Sequence, residues 1–227
     1  EQAKSLQDIR AMSEFGLWLV DWSYQLGDIT GAASTIASLK QDIADKGNRE
    51  YVSRLAFYSE LITGEMITQQ QMSEPMSKDY SQGAIYIAKL IYAAREALRQ
   101  QHDISAHLAA LGDVDFTLYQ YAYLEYLELL AVQQFMQQQW PDFQATLKQA
   151  DILLRKMGGY WRSFQFDRLR VQFAYHNEQA PSSLKAKLNS ELNTLLANLP
   201  KDRKAEFLNY QSYFQLDDSL QDLAGYE

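Results

Sequence analysis

Residues 116–135 read FTLYQYAYLEYLELLAVQQF, a helical pattern with apolar or tyrosine side chains on almost every side. Such a segment can be covered by a membrane, by a ligand, or by other helices on two flanks. Gln120, Glu125, Glu128 and Gln133 interrupt it, so it falls short of the roughly 18 consecutive apolar residues of a membrane-spanning helix. At about 100° per residue, Phe116, Tyr119, Tyr123, Leu127 and Leu130 fall on one flank, widened by Leu124, Ala131 and Phe135. Leu118, Ala122, Leu129 and Met136 fall on another. The strip left over carries Tyr121, Glu125, Glu128 and Val132. A surface helix shows one apolar stripe and a broad polar face, so two apolar flanks place this helix inside an array of helices.

The rest of the chain has the same grain. Its four prolines and ten glycines sit between long stretches with helical spacing, and no strand pattern competes. Helices are expected over about 5–26 and, after the punctuation of Gly27 and Asp28, onward to about Lys46, where Gly47 and Asn48 stop the second. Two more are expected over about 50–71 and 80–101, separated by a loop around Pro75. A short helix or turn over 102–112 precedes the quoted one, expected from about Val114 to Gln139. Trp140 and Pro141 break it, with Pro141 suited to the first turn of the next helix, which ends at Gly158 and Gly159. Helices over about 161–176, 181–199 and 203–216 complete about nine. The expected organisation is a single helical domain over 1–216 and an acidic, poorly ordered tail over 217–227.

With 227 residues, 47% apolar and 22% charged, the chain has ample material for a core. Its net charge of −8 opposes direct binding to nucleic acid, which requires a basic footprint. The absence of cysteine excludes disulfides and thiolate metal sites and is compatible with cytoplasm or periplasm. The cytoplasm is the expected compartment, the periplasm the alternative. The opening EQAKSL has no initiator Met and no signal-like apolar segment, and reads as the start of an excised domain or a processed product.

Two segments resemble tetratricopeptide repeats. In LELLAVQQFMQQQWPDFQATLKQA, Leu127, Leu130 and Ala131 match first-helix positions of that family, and Leu147 and Ala150 match second-helix positions. Phe143 stands where the family has a small residue. In EFGLWLVDWSYQLGDITGAASTIASL, Leu19, Gly27, Asp28, Ala32 and Ile36 match, while Gly16 replaces a large residue and Val20 a small one. The resemblance implies an all-α superhelix of αα-hairpins, a tetratricopeptide-like solenoid, with an irregular helical bundle as the alternative. It also implies a concave groove, onto which the family's groove positions map Glu14, Leu17, Asp21 and Tyr24, and then Glu125, Glu128, Val132 and Phe135. With Tyr121 from the wheel, Glu14, Asp21, Tyr24, Tyr121, Glu125 and Glu128 are the candidate partner-binding residues, an acidic and aromatic set suited to a basic or mixed peptide. The alternative reading of Glu125 and Glu128 is a solvated helix face.

Catalytic signals are sparse. No GxGxxG, GxxxxGK[ST] or GxSxG occurs. His102 and His107 are five apart with no HExxH glutamate, against the i,i+4 spacing of helical metal ligands. No catalytic, metal or cofactor residue is expected. YWRSFQFDRLRVQFAYH combines aromatics with Arg162, Arg168 and Arg170, which reads first as packing aromatics overlaid by arginine stems. Met66, Met72 and Met76 read as core filling or loop. The function implied is a non-catalytic scaffold or regulatory domain binding a peptide segment of a partner protein. The alternative is a ligand-sensing helical domain of a signalling or transcription regulator.

Overall fold

The computed structural model describes residues 9–25, 28–43, 49–63, 80–157, 160–179, 181–197, 201 and 204. They form α1 (Ile9–Gln25), α2 (Ile29–Ile43), α3 (Arg49–Thr63), α4 (Tyr80–Arg99), α5 (Ser105–Gly112), a 3₁₀ helix (Phe116–Leu118), α6 (Gln120–Met136), α7 (Trp140–Met157), α8 (Tyr160–His176) and α9 (Ser182–Ala197). No strand occurs among the described residues, so the protein is all-α, as its periodicity implies. Among them no helix is long and apolar enough to cross a membrane. Of the helix expected over 203–216 only Lys204 is described, and the tail, the Pro75 loop with Met66, Met72 and Met76, and the glycine stops at Gly27, Gly47 and Gly158 lie outside the described residues. The sequence reads as one domain over 1–216; the contacts divide the described residues into two compact units, one up to Lys89 and the other from Leu90, within α4.

In the first unit α1 and α2 form a hairpin, and α3 packs on both. Leu17, Val20 and Tyr24 of α1, Ala32, Ile36 and Leu39 of α2, and Leu55, Phe57 and Tyr58 of α3 are buried. Asp28 starts α2: its carboxylate accepts the Gly31 N–H at 2.8 Å, satisfying one of the orphan donors of the first turn. Gly16 marks the closest approach of α1 to α2. A Cβ there would stand 2.4 Å from Leu39 Cδ2 and 3.0 Å from its Cγ. Leu39 therefore fills the space that the repeat pattern gives to a large residue at position 16. Gly16→Val is expected to destabilise the protein by about 1–3 kcal/mol through overpacking, even though valine favours a helix more than glycine does. A urea midpoint equal to that of the wild type would mean that Leu39 turns aside without cost.

In the second unit α6 packs against α5, α7 and α8, and α8 against α7 and α9. From Ala122 to Phe135 no residue of α6 is exposed. Its polar residues are enclosed with partners: Gln134 Oε1 accepts from Thr146 Oγ1 at 2.8 Å, and Gln133 Nε2 donates to Asp103 at 3.0 Å. The helix starts later than the periodicity suggests. Asp115 accepts from the Thr117 N–H at 3.0 Å and its Oγ1 at 2.6 Å, a local bond that competes with the helix. It sets up the 3₁₀ turn, and Tyr119 (φ −125°, ψ 50°) separates that turn from α6. Leu118 and Met136, expected on an apolar flank, are exposed: one lies in that turn and the other is the last helical residue.

Three helices close in the same way without glycine. Gln101, Gln138 and Glu178 adopt φ of 59°, 58° and 55°. The N–H after each reaches back to a carbonyl five residues earlier: His102 to Ala97 at 2.8 Å, Gln139 to Gln134 at 2.9 Å and Gln179 to Ala174 at 2.9 Å. These are Schellman closures, at positions usually held by glycine.

Candidate functional site

Of the six candidate residues, Tyr121, Glu125 and Glu128 belong to α6 in the second unit. Glu128 is only 2% exposed. Arg95 of α4 brings Nη2 to 3.0 Å from Glu125 Oε1 and 3.7 Å from Glu128 Oε2, and its guanidinium carbon lies 5.9 Å from the Tyr92 ring centre. The strip is neither an open acidic groove nor a solvated face. A buried carboxylate requires a counter-charge, and Arg95 supplies it from within IYAAREAL, where a lone arginine among apolar residues was the available sign. Val132 is buried beside it, and Tyr121 alone of the strip is exposed, at 63%.

Glu14, Asp21 and Tyr24 lie on the side of α1 turned toward its neighbours. Tyr24 is buried, Glu14 Oε2 is 3.5 Å from Arg54 Nη1, and Asp21 accepts a hydrogen bond from the Tyr58 hydroxyl at 3.0 Å. The two acids tie α1 to α3 and stay partly open to solvent along one edge of α1. Glu14 and Asp21, expected to face a groove, bond here to side chains of α3.

The opposite face of α1 carries what the sequence reading passed over. Phe15, Trp18, Leu19 and Trp22, spaced at i, i+3, i+4 and i+7, are 64%, 52%, 53% and 64% exposed. Phe15 and Trp18 meet edge to face with ring centres 6.2 Å apart. At 150–250 Å² for a whole aromatic side chain, the four leave roughly 400–500 Å² of apolar surface in water, the size of the largest patch on a typical monomer, which is often functional. SEFGLWLVDWSYQ holds two stripes: Ser13, Leu17, Val20 and Tyr24 face the core, and the aromatic one faces solvent. The two-flank test that singled out residues 116–135 finds this helix as well.

No family model, curated protein or solved structure matches the chain. The chemistry of its remaining polar clusters is therefore read from their geometry. Asp103 does not join the histidines: its Oδ1 accepts the Ser105 N–H at 3.2 Å and Oγ at 2.7 Å as well as Gln133. Those bonds, the Ser105 hydroxyl's first, hold its carboxyl below the usual range. His107 is pushed down by burial, against the pull of Asp103. Among the described residues no three His, Asp or Glu side chains gather as metal ligands would.

Asp167, 2% exposed, centres a second network. It accepts from Arg170 Nη1 at 2.6 Å and Lys187 Nζ at 2.5 Å, and Arg170 Nη2 reaches Asp151 at 2.6 Å. Lys187 also lies 3.6 Å from Glu191, so the chain of charges joins α7, α8 and α9. Two of the arginines beside aromatics are thus accounted for: Arg170 by this network, and Arg168 by burial with a hydrogen bond to Gln165 at 3.1 Å. Burial, then Asp167, push the Glu191 carboxyl above its ordinary value of 4.5 against Lys187. An acid raised on folding keeps its proton longer in the native state, so its contribution to stability is greatest at low pH and declines as pH rises through 4.5 and above. The wild-type minus Glu191→Gln difference in unfolding free energy is expected to decline over that range. A difference independent of pH would show that Glu191 titrates alike in both states.

Proposed function

We propose that this chain is a non-catalytic protein-interaction module, built of tetratricopeptide-like helical hairpins, that holds a segment of a partner protein on the aromatic face of α1. The observation that supports this reading is the Phe15, Trp18, Leu19 and Trp22 stripe. It is a contiguous apolar surface in water on a helix whose other side already serves the core. Tryptophan and tyrosine or phenylalanine anchors dominate binding at protein interfaces because each buries a large area at little entropic cost. The reading keeps the interaction role implied by the repeat resemblance and moves it from the Glu125 and Glu128 strip, which is enclosed against Arg95, to the exposed side of the first hairpin.

Site-specific photo-crosslinking in the source cell tests it. A benzophenone residue at position 22 is expected to give one discrete adduct with another protein, and the same residue at position 121 none. Adducts from position 121 alone would overturn the assignment in favour of the α6 strip, and a doubled chain mass from position 22 would make the occupant a second copy.

A further inference from the structure

We infer that α9 is clasped to α8 by a proton held on Glu191, and that this clasp loosens as pH rises. Asp151, Asp167 and Glu191 share two cations, Arg170 and Lys187, in the chain of contacts that joins α7, α8 and α9. With every group ionised, one negative charge in that chain has no counterpart. A single proton restores the balance. Asp151 has the least need of it, because 41% of its side chain is open to water. Asp167 is enclosed, but both of its oxygens are engaged, Oδ1 by Arg170 at 2.6 Å and Oδ2 by Lys187 at 2.5 Å. Glu191 is enclosed as well, at 5% exposure, and is served worst. Its Oε1 lies 3.6 Å from Lys187 Nζ, beyond a normal hydrogen bond and on a cation already committed to Asp167. Its Oε2 is buried, and no described residue donates to it. A carboxylate enclosed with so little compensation is stabilised by becoming neutral.

The groups acting on Glu191 are Asp167 across the seam, which repels it, and Lys187 one turn back on α9, which attracts it. Arg170 and Asp151 act through Asp167. Leu188 and Leu192 flank Glu191 and are buried with it, and α8 is the main described neighbour of α9. A helix held by one main neighbour opens locally at less cost than the whole domain. Opening returns Glu191 to water, where its carboxyl titrates at its ordinary value of 4.5, whereas docking raises that value. The proton's contribution to docking is therefore fully present below 4.5 and is lost as pH rises through the raised native value. An ordinary ion pair has the opposite sign, since acid removes the charge of its carboxylate.

Hydrogen exchange of the whole chain, read by mass spectrometry at about pH 7.5 and about pH 4.5 and corrected for intrinsic exchange rates, tests this. At the higher pH the amides of α9 are expected to be several-fold less protected in the wild type than in Glu191→Gln, whose side chain is neutral throughout. At the lower pH the two proteins should be protected alike. Amides of α1, in the other unit, should show no difference at either pH. A difference of the same size at both pH values overturns the clasp. A difference shared equally by α6 and α9 overturns α9 as the part that opens. Carbon-13 carboxyl resonances of the wild type give a reading that needs no variant: Glu191 should titrate above the ordinary glutamate range, and a midpoint at or below 4.5 overturns the proton on Glu191.

Discussion

Phe143→Ala is expected to cost about 3–5 kcal/mol of stability, the range for removing a fully buried phenylalanine and leaving a cavity. The ring has no solvent exposure. It meets Phe135 at 5.6 Å, Trp140 at 6.5 Å and Phe173 at 5.3 Å between ring centres, and so joins α6, α7 and α8. Alanine is also the kind of residue that the tetratricopeptide pattern places there, so the substitution that improves the resemblance should damage the protein. Denaturant unfolding followed by near-ultraviolet circular dichroism measures the effect. A loss below about 1 kcal/mol would mean that α6 and α7 close up around the smaller side chain, as in a regular repeat.

Arg95→Met is expected to cost a similar amount, about 3–5 kcal/mol, because it withdraws this guanidinium from two enclosed carboxylates. The diagnostic measurement is a comparison. Arg95→Met with Glu125→Gln and Glu128→Gln removes all three charges, and most of the lost stability should return, since a buried ion cluster replaced by neutral groups is often no less stable. The three sites share one network, so their effects should be strongly non-additive. Equal stabilities for the single and triple variants would mean that Arg95 does not compensate those acids.

The helices were legible because a period near 3.6 runs through most of the chain, and the pairing of α1 with α2 and of α6 with α7 followed from short connections. Direction was harder to read than periodicity. A wheel drawn on residues 116–135 cannot distinguish an acid in water from one bonded to an arginine thirty residues upstream, so Glu125 and Glu128 were placed on a groove. The departures at Gly16 and Phe143 had the same origin. Each is a size decided by a residue on another helix, Leu39 in one case and Phe173 in the other. The late start of α6 depended on a two-residue bond between Asp115 and Thr117, too local to disturb the periodicity. The aromatic face of α1 was present in the spacing of Phe15, Trp18, Leu19 and Trp22 and needed only a second wheel.

The placement of the tryptophans makes the protein its own optical instrument. Trp18 and Trp22 already stand in water on α1, so their emission moves to shorter wavelength only when something covers them. Trp140 begins against His176 and Phe173, with ring centres 4.5 Å and 5.4 Å away, and its emission moves to longer wavelength when the second unit opens. With Trp161→Phe silencing the fourth indole, the direction of the spectral shift separates occupancy of one unit from unfolding of the other, in one cuvette and without a dye.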